Sequence, residues 1–358
     1  MAIGFGIVGT GMISHFHARA LAEVRGASLE GCFNRHAERG AKFAAETGCR
    51  SYASLDELLA DPRIQAVAVA TPSGAHMEPA VAAARAGKHV IVEKPLEVTL
   101  RRCDRIIEAC AEAGVKLATF FPSRFHAGAA LLRKAVDQRR FGKLTLGSAY
   151  VKWFRSQAYY DSGAWRGTWA LDGGGALMNQ AIHSVDLLTW LMGPVAEIQA
   201  RAATLAHERI EVEDVATAAL RFANGALGSI EATTAAYPGY LKRIELHGSE
   251  GSATLEEEAI AKWDFARPRA SDAPIKASLA ERQGGGGGAS DPRSIGHGAH
   301  AKQLADFVAA IKQDRPPAID GREGRRSVEI ILGIYESART GKCVKLPLAR
   351  DPVRPKGF

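Results

Sequence analysis

The chain has 358 residues, 46% of them hydrophobic, with 46 Lys and Arg against 39 Asp and Glu, a net charge of +7. At about 150 residues per domain, that length and apolar content suffice for two domains with full cores. The basic residues are scattered, no apolar run reaches about 18 residues, and the five cysteines are odd in number and lack CxxC spacing. These features speak against a nucleic-acid surface, a membrane span, a disulfide framework and a zinc site, and for a basic protein of the reducing cytosol, with no metal expected.

The chain opens on "AIGFGIV", a continuous apolar run of the kind a fully buried parallel strand shows, rather than a signal peptide. A helical pattern follows through "MISHFHARALAEV", then a strand "ASLEGCF", a helix "ERGAKFAAETG" closed by Gly48, and a Ser-capped segment "SLDELLAD". "IQAVAVAT", "EPAVAAARAG", "KHVIVE", "LRRCDRIIEACAEAG" and "VKLATFF" continue the alternation of strand and helix. This order predicts a doubly wound parallel sheet of the Rossmann type over residues 1–122. Beyond residue 122, strand-like runs follow one another: "KLTLGSAYVKWF", "AEIQARAATL", "DVATAALRF", "ALGSIEATTAAY", "RIELHGS" and "SATLEE". Residues 123–358 are therefore expected to form a second, α+β domain with a large, mostly antiparallel open sheet. Helices at about 125–137, 175–192, 298–313 and 322–340 flank it. Residues 267–297, with Pro, Ser and "GGGGG" at 284–288, read as a loop, either a disordered connector or an active-site lid.

Three segments carry chemistry. "GIVGTGMIS" places Gly9, Thr10, Gly11, Met12 and Ile13 between the first strand and the first helix. Gly9 permits a tight turn, Gly11 a close approach of backbone to a pyrophosphate, and the helix start offers N–H groups to the phosphates. Ser14 stands where a third small residue is usual. At the end of the second strand, Asn34, Arg35 and His36 replace the carboxylate expected to bind the adenosine ribose. Asn34 can still bond a ribose hydroxyl; Arg35 can pair with a 2′-phosphate, stack on adenine, or be solvated, so both NAD and NADP stay open. Next, "EKP" puts Glu93 and Lys94 at the C-terminal end of a parallel strand, where such sheets bind ligands. Last, "LDGGGALMNQAIHSVD" spaces Asn179, His183 and Asp186 four and three apart, on one face of an α-helix. The glycines are expected to let the chain approach a cofactor closely. Asp186 either orients His183 or bonds a backbone group. Tyr159, Tyr160 and Trp165 suit either a sugar pocket or a core. His300, at the start of a helix, either reaches a substrate or stays at the surface.

Together these stretches resemble the Gfo/Idh/MocA oxidoreductases, and the likeness covers nearly the whole chain. It rests on "GIVGTGMIS", "ATPSGAHMEPAVAAARAGKHVIVEKP", "GGGALMNQAIHSVDLL", "HAKQLADFVAAI" and "GREGRRSVEIILGIYESARTGKCVKLP". The resemblance implies an NAD(P)-dependent dehydrogenase or reductase of a secondary alcohol on a sugar, glycoside or cyclitol. In it Lys94 is the catalytic lysine and His183 the active-site histidine, with Lys94, Tyr160, Trp165, Asn179, His183 and His300 toward the substrate. Asn179 stands where the family often has Asp, which suits substrate hydrogen bonding better than a charged role. Cofactor contacts fall on Thr71, Pro72, His76, Glu93, Lys94 and Ser123. Trp165 and Arg166 resemble a pair that closes over the cofactor in some sugar-reducing members. "WRGTWALDGGGALMNQAIH" also resembles subfamilies that oxidise the C3 hydroxyl of pyranosides or nucleotide sugars. The resemblance further implies a homodimer or homotetramer formed through the C-terminal sheet. Two other activities known on this fold are redox-assisted glycoside cleavage with retained NAD and non-catalytic, cofactor-binding regulation.

Overall fold

The computed structural model describes residues 2–280, 296–355 and 357. The chain divides into two compact units: residues 1–122 with 296–328, and residues 123–295 with 329–358.

The first unit holds six parallel strands, β1 (Ile3–Val8), β2 (Ala27–Phe33), β3 (Arg50–Tyr52), β4 (Ala66–Val69), β5 (His89–Val92) and β6 (Leu117–Thr119). Their order is β3-β2-β1-β4-β5-β6, so the strand order reverses between β1 and β4. That reversal is where doubly wound sheets bind ligands, beyond the carboxyl ends of the strands. The strands are joined through α1 (Met12–Glu23), α2 (Ala37–Thr47), α3 (Leu55–Ala60), α4 (Met77–Arg85) and α5 (Leu100–Glu112). Gly48 ends α2 at φ 74°, and Ser54 Oγ accepts the Glu57 N–H at the start of α3, as their residue types require. The three-residue β3 had no apolar run to betray it.

The expected second domain, 123–358, is not one continuous piece. All of α10 (Gly298–Lys312) belongs with the first unit because its apolar face is needed there. Leu304, Phe307 and Val308 join Phe5, Leu21 and Phe43 in one buried cluster, with the Phe5 and Phe307 ring centroids 6.4 Å apart. Gln303 of α10 seals the edge strand β6: its Nε2 donates to the Thr119 carbonyl at 2.7 Å, and its Oε1 accepts the Phe121 N–H at 3.0 Å. The Ile319 carbonyl accepts the Thr119 N–H on the same edge.

The second unit is built on β7 (Leu144–Lys152), β8 (Val195–Ala203), β9 (Val215–Phe222), β10 (Leu227–Thr233), β11 (Arg243–Gly248), β12 (Gly251–Glu256), β13 (Ala259–Phe265) and β14 (Val344–Lys345). They lie in the order β13-β12-β11-β7-β10-β9-β8-β14. Only the β7–β10 pair is parallel among them. Along β9 and β10 alternate residues are buried, so one face is covered and the other carries exposed side chains, including Leu146 and Leu227. The unit also contains α6 (Ala127–Asp137), α7 (Gln157–Asp161), α8 (Ile182–Met192), α9 (Ala273–Ala280) and the C-terminal part of α11 (Gly321–Thr340). Helix α8 packs on β7, where a Cβ on Gly147 would stand 2.6 Å from the Met192 side chain. The stretch expected as a loop over 267–297 is therefore partly helical, and its "GGGGG" lies outside the described residues.

Candidate active site

In the first unit, the turn after β1 is built as its glycines demand. Gly9 sits at φ 91°, and a Cβ there would meet the Ala70 carbonyl at 2.6 Å, so only glycine fits beneath the end of β4. Ser14 Oγ donates to the Gly9 carbonyl at 2.7 Å and closes the turn. A Cβ on Gly11 would meet nothing within 4 Å. The first turn of α1, which also bears the exposed Met12 and half-buried Ile13, has neither a side-chain cap nor an acidic residue. That helix end thus offers uncapped N–H groups and open space above Gly11, a donor set that fits a dinucleotide's phosphates.

The neighbouring strand ends are tied to this turn. Asn34 Nδ2 donates to Thr10 Oγ1 at 2.7 Å, and Asn34 Oδ1 accepts the His36 N–H at 2.9 Å. Asn34 therefore braces the phosphate loop, a role its sequence position did not announce. Arg35 is exposed, and its Nε donates to His36 Nε2 at 3.3 Å. Thr71 Oγ1 donates to the Ala75 carbonyl, and Pro72 leads into that 3₁₀ turn. His76 is buried, with its ring nitrogens 2.9 Å from the Thr71 and Pro95 carbonyls, so it straps the ends of β4 and β5 together.

At the end of β5, Glu93 is buried and Lys94 half-buried. Glu93 Oε1 lies 2.7 Å from His17 Nε2, and Oε2 accepts the Lys94 backbone N–H at 3.1 Å. Burial alone would raise this carboxyl. The hydrogen bond from His17 and the attraction of His17, His300 and Lys94 outweigh it and hold the pKa near about 2. His17 lies on α1 and stacks on Phe120 at 4.3 Å. His300 is buried 5.9 Å from the rings of both His17 and Phe120. His300 is thus a buried neighbour of this carboxylate rather than a residue at the helix surface. His17, Glu93 and His300 also bring one possible metal-ligand atom each within 4.8 Å of one another. His17 escaped the sequence reading because a lone histidine in an apolar helix looks like any core residue; its partner is 76 positions away.

In the second unit, the glycine-rich segment has a different cause from the one expected. A Cβ on Gly174 would lie 2.0 Å from the Tyr335 hydroxyl, and one on Gly175 1.9 Å from the Glu213 carbonyl oxygen. The glycines make room for Glu213 and Tyr335, which is sufficient reason for them without a cofactor. Glu213 then caps the following helix from a distance. Its carboxylate accepts the Gly175 N–H at 3.0 Å and the Leu177 N–H at 2.8 Å, and its carbonyl accepts the Ala176 N–H at 3.1 Å. Tyr335 adds a hydroxyl bond to Oε1 at 3.0 Å. Burial pushes the Glu213 carboxyl up to about 7, against the pull of these neutral donors.

The segment expected as one α-helix begins as a π-turn over Ala176–Ala181 and becomes α-helical at Ile182. The α-helical spacing rule therefore does not apply across Asn179, and π-turns recur at functional sites. Residues 172–189 are all buried except Asn179 and His183, which are half-buried. Asn179 Nδ2 donates to Asp172, and Asn179 Oδ1 accepts from Gln180 Nε2 at 3.1 Å. Asp186 receives both arms of Arg124, at 2.8 and 2.6 Å, each side chain buried. The structure thus gives Asp186 a guanidinium partner that neither sequence reading foresaw. Ser123, in the 3₁₀ turn Pro122–Phe125, is buried. Tyr160 is buried, its hydroxyl 2.9 Å from Thr234 Oγ1. Trp165 and Arg166 are half-buried beside Tyr159. Among the described residues, no helix is long and apolar enough to cross a membrane.

Residues 3–121 match the model of the oxidoreductase family with an NAD-binding Rossmann fold, and residues 129–254 that of the GFO/IDH/MocA C-terminal domain. Myo-inositol 2-dehydrogenase of Thermotoga maritima is 30% identical over 349 residues, spanning 95% of this chain and 98% of that protein. Levoglucosan dehydrogenase of Pseudarthrobacter phenanthrenivorans is 28% identical, over 72% of this chain and 74% of that one. The WlbA dehydrogenase from Bordetella pertussis, solved in complex with NADH and UDP-GlcNAcA, aligns with a TM-score of 0.89 at 39% identity, covering 97% of this chain and 98% of that one. With an uncapped phosphate loop at the reversal of a parallel sheet and both domain types matched in order, the chain belongs to the Gfo/Idh/MocA family of NAD-binding oxidoreductases.

Proposed function

We propose that the protein is an NAD-dependent dehydrogenase of a secondary hydroxyl on a sugar, glycoside or cyclitol, in which Lys94 and His183 serve the same hydroxyl. The observation that carries this reading is the opening of an otherwise buried stretch, 172–189, at Asn179 and His183 alone. The relatives named for myo-inositol and levoglucosan support the substrate class. The similarity to WlbA with UDP-GlcNAcA favours a nucleotide-linked sugar within it. Gly9, Thr10, Gly11, Met12, Ile13, Asn34, Arg35, Thr71, Pro72, His76, Glu93 and Ser123 would hold or brace the dinucleotide. The chemistry that bound NAD would supply is a hydride acceptor facing the carbinol carbon. Lys94 supplies positive charge to the oxygen as that hydride departs. His183 takes the hydroxyl proton, since an imidazole exchanges protons near neutral pH. Asn179, oriented by Asp172 and Gln180, hydrogen-bonds the substrate.

The test is a double-mutant cycle on NADH formation, with substrates screened from inositols, glycosides and nucleotide sugars. Lys94→Ala should lower the rate at least about a hundredfold, as loss of one oxyanion donor does. His183→Ala should cost roughly a hundredfold and flatten the acid limb of the pH profile for oxidation. The two losses should fall short of multiplying, because both act in one transfer. Full activity in either single variant would remove that residue from the mechanism.

A further inference from the structure

The second unit gathers two guanidiniums around one phenol. Arg155, buried just after β7, donates from Nη2 to Gln180 Oε1 at 3.0 Å and from Nη1 to the Phe154 carbonyl at 2.8 Å. Its Cζ lies 5.5 Å from the ring centroid of Tyr159. Arg166 donates from Nη1 to the Tyr159 hydroxyl at 2.6 Å. Its Cζ sits 4.2 Å from the Tyr159 ring and 4.5 Å from the Trp165 ring, so both rings hold its guanidinium. Gln180 Nε2 donates to the Tyr159 hydroxyl at 3.0 Å and to Asn179 Oδ1 at 3.1 Å. One chain of bonds therefore runs from Arg166 through Tyr159 and Gln180 to Asn179.

One buried carboxylate joins this chain at its far end: Asp172 accepts from Asn179 Nδ2 and, through Oδ2, the Gly167 N–H at 2.8 Å. The buried Arg124 has Asp186, and the buried Arg140 has Asp272, each held by two bonds. Among the described residues, no carboxylate forms a salt bridge with Arg166. Burial presses the Arg155 guanidinium below its ordinary range; Tyr159 and Tyr160 oppose this, and the like charge of Arg166 adds a smaller push in the same direction as burial. Arginine does not discharge to relieve such repulsion, so a neighbouring anion is the natural relief. The Tyr159 hydroxyl accepts from both Arg166 and Gln180, which leaves its own proton directed to another acceptor.

We propose that Arg166 and the Tyr159 hydroxyl, with Arg155 adding positive field, form an anion subsite for a carboxylate or phosphate carried by the sugar, one bonded chain from Asn179. This rests on the sugar-dehydrogenase reading and narrows its substrates to anionic ones. Arginine's fork suits either oxyanion, and the ligand's two possible charged groups are separable by choice of probe.

The test is calorimetric titration of the NADH-loaded protein with UDP-GlcNAcA, UDP-GlcNAc, glucuronic acid and N-acetylglucosamine. Arg166→Ala should weaken the anionic ligands that the wild type binds by about tenfold to a hundredfold. It should leave N-acetylglucosamine within twofold. A loss confined to UDP-GlcNAcA and glucuronic acid places a sugar carboxylate in the subsite. An equal loss for UDP-GlcNAcA and UDP-GlcNAc places the diphosphate there. Tyr159→Phe, which keeps the ring, should give a smaller loss of the same pattern, and Arg166→Lys should recover part of it. Four unchanged affinities, a loss equal for N-acetylglucosamine, a change in NADH affinity alone, or a wild type that binds no anionic ligand would each overturn the subsite. Arg166-dependent binding, with no NADH formed from any probe when the protein is supplied with NAD in its place, would instead keep the subsite and sink the dehydrogenase reading.

Discussion

Glu93 and Glu213 are both buried, yet one carboxyl is held at about 2 and the other is pushed up to about 7. Each accepts good hydrogen bonds. Glu93 has a histidine and a backbone N–H, and Glu213 has two backbone N–H groups and a phenol. The difference is charge. Around Glu93 stand His17, His300 and Lys94; the His17 hydrogen bond and the attraction of all three outweigh burial. Around Glu213 the donors are neutral, and the nearby ionisable groups, Tyr335 from α11 together with Asp172 and Tyr160, are acidic. Three neutral donors satisfy a buried carboxylate geometrically without making its ionised form cheap. The first unit therefore keeps a fixed negative charge behind Lys94, whereas the second keeps a carboxyl that titrates near neutrality behind Asn179.

The comparison can be broken most severely at Glu213. Glu213→Ala leaves Gly175 N–H, Leu177 N–H and the Tyr335 hydroxyl without their acceptor in a buried place. It should destabilise the protein by about 3–5 kcal/mol. Denaturant unfolding at pH 6 measures this, and a loss under about 1 kcal/mol would mean that the remote cap is not holding the helix.

Next in size is the pH dependence. Glu213 ionises at 4.5 in the unfolded chain and at about 7 in the fold. Its contribution to stability is thus full below pH 4.5 and declines as pH rises to 7, by up to about 3 kcal/mol. In Glu213→Gln this decline should vanish, leaving a flatter profile between those limits. An identical slope in the variant and the wild type would show that another group titrates there.

The smallest effect is expected on the other side. Glu93 is depressed, so its contribution is present above pH 4.5 and lost as pH falls toward about 2. His17→Ala removes one charge-assisted bond, worth about 1.5–3 kcal/mol, and should raise the midpoint of acid unfolding. His17→Gln, which can still donate, should recover part of it. An acid midpoint unmoved by His17→Ala would assign the low pKa to Lys94 and His300 instead.

The parallel sheet, the glycine turn after β1 and the strands of the second unit were legible because each depends on local pattern. Apolar runs, caps and the Gly9 turn are read from adjacent residues. What stayed hidden depends on contacts distant in sequence. "GGG" before Asn179 looked like room for a cofactor, but the atoms it accommodates belong to Glu213 and Tyr335, 38 or more residues away. Asn179 and His183 were singled out by an α-helical spacing that the structure does not keep. The π-turn that carries Asn179 leaves no such mark, and the Glu213 carboxylate that caps it stands 36 or more positions away. Tyr159, Arg155 and Gln180 were equally unmarked as a group, since they converge only once α7 and the π-turn are in place.

The seal that Gln303 makes on β6 reaches beyond packing. A parallel sheet ends in rows of unpaired amide groups, and such rows invite a foreign strand. Here a single amide side chain and the Ile319 carbonyl occupy the groups at Thr119 and Phe121, while the opposite border, β3, is only three residues long. A chain that lends 296–328 back to its first unit thereby removes a template for intermolecular strand addition, the route by which exposed sheet borders aggregate.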